Sequence, residues 1–253
     1  MNPSDPVGAH RSRQPPTNTG TASGGGSELA SPLRCSLCDS RAVRTFSTLA
    51  ERRYLRCGNC RLTFLAPKDR LAPDEELARY ETHENDPSDP RYRRFLQRLL
   101  DPLTPLLTPA SKGLDYGSGP GPTLSVMLEE KGFRMRNYDP FFAPDLEVLE
   151  STYDFITCSE TAEHFFAPGE EFERLDRMLR PGGWLALMTG ILEDDSGFPD
   201  WWYARDPTHV SFYRRETLEW VASRFGWDLR TPAPNVALYR KPREGGAGPP
   251  GPG

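Results

Sequence analysis

Two cysteine pairs constrain the folding of this chain more than any other feature. Cys35-x2-Cys38 and Cys57-x2-Cys60 are separated by 18 residues, the spacing of a four-cysteine zinc ribbon. Each CxxC turn aims two thiolates at one point, and two such turns close a tetrahedron around Zn²⁺. Four thiolate ligands leave no open position for a substrate, so the metal is expected to be structural. Gly58, directly after Cys57, suits the tight turn of a knuckle. A redox dithiol is the competing use of one pair, and two matched pairs in one segment argue against it. The fifth cysteine, Cys158, lies in an apolar run and reads as a buried bystander. Paired thiolates holding metal suit a reducing compartment, so a cytoplasmic chain is expected.

Composition narrows the remaining classes. The formal net charge of −5 argues against a wholesale polyanion binder. No run approaches the roughly 20 apolar residues of a membrane-spanning helix. Residues 1–31 and 243–253 are low-complexity and rich in Gly and Pro. Such segments bury too little apolar surface to offset their ordering entropy, so both are expected to be disordered tails. The cysteine-bearing segment, 32–70, reads as short strands joined by turns. Its residues 34–70 carry nine Lys/Arg against three Asp/Glu, a surface that is either simply solvated or an RNA-binding knob built on Arg52, Arg53 and Arg56.

Residues 71–110 follow helical spacing, in Leu71, Leu77 and Tyr80 and again in Phe95, Leu96, Leu99 and Leu100. They are expected to form a helical linker or cap. From 111 to 242 the pattern alternates strand and helix, which argues for βαβ units and a parallel sheet. Strands are expected at Leu114–Tyr116, Met135–Tyr138, Phe155–Cys158, Trp184–Thr189 and 235–240. Helices are expected at 123–131, Phe172–Leu179 and 215–225.

A glycine-rich loop joins the first of these strands to its helix: Leu114-Asp115-Tyr116-Gly117-Ser118-Gly119-Pro120-Gly121. Glycines let a backbone turn sharply and approach a ligand closely. The third position of a dinucleotide G-x-G-x-x-G falls on Pro122, so the loop alone selects no cofactor. Asp139 ends the next strand 22 residues after Gly117, where an acid can bind ribose hydroxyls. A third strand ends in Ser159 and Glu160 and runs into Glu163 and His164. Arg180-Pro181-Gly182-Gly183 then stops a helix before another apolar strand.

The order D-x-G-x-G-x-G, strand-end acid, Y-D-x-I-x-x-S-E-x-x-E-H and L-R-P-G-G resembles the class I S-adenosylmethionine-dependent methyltransferases. The resemblance covers residues 111–242 and implies a Rossmann-like α/β fold with a seven-stranded, mostly parallel sheet. It implies that Gly117, Gly119 and Gly121 pass under the methionine part of S-adenosylmethionine, with Asp115 near its amino group. Asp139 would hold the ribose, and Ser159 and Glu160 would stand beside the reacting centre. The cysteine extension resembles a bacterial subgroup with an N-terminal four-cysteine module, some of whose members act on sugars or other small metabolites. Two departures stand out. Only 13 residues separate Asp139 from Tyr153, so the third strand of the family and its helix look abbreviated and adenine contacts are not assigned. No N/D-P-P-Y/F motif follows Ser159, which lowers a nucleobase amine as acceptor.

Methyl transfer needs acceptor, methyl and sulfur held in line, with a base where the acceptor carries a proton. His164 and His209 are the candidates. His209 lies in an aromatic stretch with Phe198, Trp201, Trp202, Tyr203, Phe212 and Tyr213, which would form either a lid that excludes water or a local core. A small-molecule acceptor is the favoured expectation and RNA the alternative. A non-catalytic cofactor binder using its ribbon to hold a protein is the third.

Overall fold

The computed structural model describes residues 33–82 and 85–243; the two expected tails, Pro32 and His83 lie outside the described residues, apart from Arg243. The cysteine segment forms β1 (Val43–Leu49), β2 (Arg52–Cys57) and β3 (Thr63–Leu65), and the cap that follows holds α1 (Pro73–Tyr80) and α2 (Pro90–Leu103). The alternating region opens with β4 (Lys112–Tyr116), α3 (Thr123–Glu129), β5 (Arg134–Tyr138) and β6 (Tyr153–Ser159). It continues with α4 (Pro168–Met178), β7 (Leu179–Met188) and the single turn α5 (Trp202–Arg205). Last come β8 (Ser211–Phe212), α6 (Arg215–Phe225), β9 (Asp228–Ala233) and β10 (Val236–Arg240). No helix among them is long and apolar enough to cross a membrane.

The main sheet runs β5-β4-β6-β7-β10-β9. The first four strands are parallel, and β10 lies antiparallel between β7 and β9. Phe155, Ile156 and Cys158 of β6 are fully buried because helices cover both faces, as a central parallel strand requires. On one face α2 brings Leu96, Leu99, Leu100 and Leu103, at helical spacing, against Phe155 and Leu238. On the other, Phe172 and Leu175 of α4 and Leu218 and Val221 of α6 pack on Ile156 and Leu185. This is the Rossmann-like α/β arrangement expected. The sheet has six strands rather than seven: the 13 residues after Asp139 form a turn closed by an Asp139–Ala143 bridge and a 3-10 turn, Leu146–Glu150. A further crossover of helix and strand does not fit in that length.

The strands β1-β2-β3-β8 form a second, antiparallel sheet. Its last strand comes from the aromatic stretch near the far end of the chain, so the cysteine segment and that stretch share one sheet. Between them lies a core of Tyr54, Leu65, Phe198, Tyr203, Val210 and Phe212. Phe198 meets the rings of Phe46 and Tyr54 at 5.1 Å each and that of Phe212 at 5.3 Å. Arg56 is fully buried here, 2.8 Å from Asp195 and stacked 4.0 Å over Phe46. Phe198→Ala should therefore lower stability by about 3–5 kcal/mol, a fall in melting temperature of roughly 6–20 °C for a chain of this size. Trp202→Ala, at a side chain 70% exposed, should change stability by no more than about 0.5 kcal/mol. Thermal denaturation followed by circular dichroism measures both.

Candidate functional site

The four paired cysteines converge as thiols. The sulfurs of Cys35 and Cys60 are 3.4 Å apart, those of Cys38 and Cys57 are 3.5 Å apart, and all four lie within 4.8 Å of one another. Sulfurs around a tetrahedral zinc, each at ~2.3 Å from the metal, stand about 3.8 Å apart. The left-handed backbone of each knuckle falls on the residue after its second cysteine, Asp39 (φ 56°) and Arg61 (φ 63°). Gly58 lies in the turn after Cys57, as expected, and also meets Ala42. Its N–H donates to the Ala42 carbonyl at 2.6 Å, and a Cβ there would meet that oxygen at 3.2 Å. Burial pushes the Cys57 thiol up to about 11, while the bond from Cys60 holds Cys35 down to about 6. Sulfurs this close cannot all ionise unless a cation joins them.

A cavity of about 590 Å³ opens at the carboxyl ends of β4, β5 and β6, where ligands enter open α/β sheets. Gly117 (φ 81°) and Gly119 (φ 64°) lie in its wall in left-handed conformations. The Gly117 N–H donates to the Tyr138 carbonyl at 2.8 Å, and a Cβ on Gly117 would strike Thr161. Asp139 accepts from the Gly119 N–H at 2.9 Å and from the N–H groups of Phe141 and Phe142 at 2.9 and 3.1 Å. One carboxylate therefore ties the glycine loop to the turn that replaces the missing strand, with about one lone-pair direction left for a ligand.

Two residues expected at the cofactor lie off this wall. Gly121 sits beneath Asn85, whose carbonyl oxygen would be 1.9 Å from a Cβ at that position. Its absent side chain admits the polypeptide leading into α2 rather than a ligand. Asp115 is buried inside the sheet, where its carboxylate accepts from the Thr157 hydroxyl at 2.8 Å. Burial pushes it up to about 7.

Ser159, Glu160, His164 and His209 all line the cavity at its other end. The Ser159 hydroxyl is buried with no partner among the described residues. Glu160 has a left-handed backbone (φ 48°); burial, then the Glu163 charge, push its carboxyl up to about 9. Nδ1 of His209 donates to the Tyr203 carbonyl at 2.7 Å, and Nδ1 of His164 to the Thr208 carbonyl at 3.1 Å. The two rings meet edge to face at 4.8 Å. Burial lowers the pKa of His209, against the pull of the Glu163 charge. The aromatic stretch proves to be core and wall at once: Phe198 and Phe212 are buried, while Trp202 and Tyr203 face the cavity. From α1, Arg79 pairs with Asp206 at 2.9 Å and Tyr80 stands 5.2 Å from the His164 ring, closing the cavity from above.

Sequence reasoning passed over Glu163. It is fully buried, its Oε2 accepts from the Thr189 hydroxyl at 2.9 Å, and its Oε1 has no partner among the described residues. It stood inside the quoted E-x-x-E-H motif, where only depth of burial sets it apart from an exposed acid. Of the three arginines expected to lead RNA binding, Arg56 is buried against Asp195, and Arg52 donates to the Pro207 carbonyl at 2.7 Å.

This geometry is that of an α/β protein with a ligand cavity over a glycine loop. The chain belongs to the family described as a methyltransferase domain, whose model matches residues 88–231, more than half of the sequence. No curated protein matches the chain. Among solved structures it is similar to Burkholderia thailandensis 1,6-didemethyltoxoflavin-N1-methyltransferase with bound 1,6-didemethyltoxoflavin and S-adenosylhomocysteine. That similarity has 17% identity, covers 76% of this chain and 96% of that one, and has a TM-score of 0.46. It is also similar to Haemonchus contortus phosphoethanolamine N-methyltransferase 2 in complex with S-adenosyl-L-methionine, at 17% identity, 68% and 49% coverage, and a TM-score of 0.46. The match thus spans about half of that longer chain.

The raised Asp115 carboxyl gives a pH prediction for the ligand-free protein. An acid with a higher pKa folded than unfolded holds its proton longer in the native state, so stability falls as pH rises from about 4 to about 7. Asp115→Asn keeps the shape and carries no charge. Its stability relative to the unsubstituted chain should rise across that window and level off above it, as urea denaturation at successive pH values would measure.

Proposed function

We propose that this chain is an S-adenosylmethionine-dependent methyltransferase acting on an oxygen, nitrogen or carbon of a small molecule, such as a sugar or other metabolite. The observation that carries the reading is the glycine loop bound to Asp139 at the wall of the cavity, in a chain of the methyltransferase family. Gly117 and Gly119 would let the methionine part of the cofactor lie close to the backbone, and the remaining lone pair of Asp139 would take a ribose hydroxyl. The sulfonium is already a good leaving group, so the work left to the protein is alignment and exclusion of water. Tyr203, Trp202 and the α1 cap supply the enclosing wall. A small acceptor is favoured over RNA because α1 covers the cavity and two of the three arginines considered for RNA are engaged within the protein.

The cofactor test is isothermal titration with S-adenosylhomocysteine. Asp139→Ala removes a charged acceptor worth about 1.5–3 kcal/mol, a loss of affinity of roughly 10- to 150-fold. Failure of the intact, zinc-loaded chain to bind S-adenosylhomocysteine or S-adenosylmethionine would overturn the enzymatic reading.

Cys35, Cys38, Cys57 and Cys60 fit one structural Zn²⁺, a ligand set suited to a reducing, cytoplasmic setting. The purified protein should carry one zinc per chain by elemental analysis. Cys60→Ser should lose it, at a cost of several kcal/mol and a melting temperature roughly 10 °C lower. A metal-free chain with an unchanged melting temperature would remove zinc from the proposal.

A further inference from the structure

Glu163, His164 and His209 form a second cluster with one ligand atom from each within 4.8 Å of the others. We propose that it binds one divalent transition metal ion of the Mn²⁺ type, and that this ion takes up a hydroxyl oxygen of the methyl acceptor. The acceptor part of the proposal rests on the methyltransferase reading above; the metal part does not.

Two features make the cluster a built site. First, the Glu163 carboxylate is oriented for a ligand. Thr189 holds Oε2, while Oε1 is buried with no hydrogen-bond partner among the described residues, an arrangement that leaves an acceptor costly to bury unless something occupies it. Second, both imidazoles give their Nδ1–H to a backbone carbonyl, Thr208 for His164 and Tyr203 for His209. This matches the outer hydrogen bond that metal-bound histidines make, and a neutral ring with that bond carries its lone pair on Nε2.

A Glu163–His209 general-base pair is the obvious alternative use of these groups. It requires a hydrogen bond from the imidazole to the carboxylate, yet the Nδ1–H of His209 is given to Tyr203 and no described residue donates to Oε1 of Glu163. The donor set also chooses the ion. Two imidazoles and one carboxylate suit Mn²⁺, Fe²⁺, Co²⁺ or Zn²⁺ better than Mg²⁺ or Ca²⁺, and three ligands leave coordination positions open. Those positions border the cavity that Ser159 and Glu160 also line.

An acceptor hydroxyl bound there would lose its proton to water more readily, since a bound cation stabilises the anion. The oxygen lone pair then forms the new O–C bond as the methyl C–S bond breaks, and that electron pair stays on sulfur. The sulfonium becomes a neutral thioether, so charge and atoms balance. The expected acceptor class is therefore a molecule with a phenol, enol or vicinal diol hydroxyl.

The test uses the full chain with its cysteine site loaded with zinc, titrated with Mn²⁺ alone and followed by electron paramagnetic resonance. The expected result is one Mn²⁺ per chain, with nitrogen couplings from two imidazoles in pulsed spectra. Glu163→Gln, which can keep the Thr189 bond, and His209→Asn should each weaken Mn²⁺ binding by about tenfold or more, with S-adenosylhomocysteine affinity within about twofold of the unsubstituted chain. Retained S-adenosylhomocysteine binding shows that a variant is folded. No Mn²⁺ binding up to about 1 mM, or binding unchanged in both variants, would overturn the metal site. Mn²⁺ bound as expected in a chain that binds neither S-adenosylhomocysteine nor S-adenosylmethionine would leave the site standing and bring down the methyltransferase reading instead.

Discussion

The peptide of Val210 joins the parts of this protein. Its carbonyl accepts from the Leu65 N–H at 2.9 Å, and its own N–H donates to the Glu163 carbonyl at 2.8 Å. One residue thereby links the cysteine-bearing sheet, the aromatic stretch and the loop after β6. Neighbouring bonds run the same way: Ser211 donates to the Phe165 carbonyl at 2.9 Å and Tyr213 to that of Ala162 at 3.0 Å. His209 immediately precedes this linkage and His164 immediately follows Glu163. The cysteine segment is consequently part of the support for the end of the cavity lined by His164 and His209. Metal at the four thiols would stiffen β2 and β3, and through β8 the wall that carries His209. A metal remote from the chemistry can in this way govern it through backbone pairing.

The cavity is also defined by an excess of buried acid. Glu160 and Glu163 in its wall, and Asp115 within the sheet, have their ionised forms disfavoured, chiefly by burial. Such groups are stable as anions only beside positive charge, and the cavity wall contributes little: Arg174 is already paired with Glu171 at 2.8 Å and Arg79 with Asp206. The proposed occupants answer this need, since S-adenosylmethionine brings a sulfonium and an ammonium and the proposed ion brings two charges. On the proposed reading, loss of the methyl group would leave a neutral thioether, and the acids would favour substrate over product.

The parallel core was legible because its signals are local. Continuous apolar runs such as 155–158 admit few alternatives to a buried strand, and the spacing of Phe95, Leu96, Leu99 and Leu100 describes one face of α2. The glycine loop and Asp139 were legible for the same reason, as chemistry confined to a strand end. The contribution of β8 was not: two residues carry no periodicity, and their pairing with β3 depends on a partner nearly 150 positions away. β9 escaped too, since its residues are exposed or half-buried and include Pro232, which is unfavourable in a strand interior. Gly121 and Asp115 fit a cofactor motif by spacing, but their surroundings are set by Asn85 and Thr157, which no local pattern reveals.

The shortening after β5 also shapes the cavity. With no seventh strand beside it, β5 is a sheet edge, and it carries Arg134 and Arg136 there, charges that discourage pairing with another chain. Arg136 is held by Asp145 at 2.8 Å, so the same turn that ends the sheet covers its rim. That turn presents Phe141 and Phe142 to the cavity, and the Tyr80 ring of α1 lies 5.5 Å from Phe141. The shortened turn and the helical cap therefore meet at the rim of the sheet, where Phe141 and Tyr80 share one wall of the cavity.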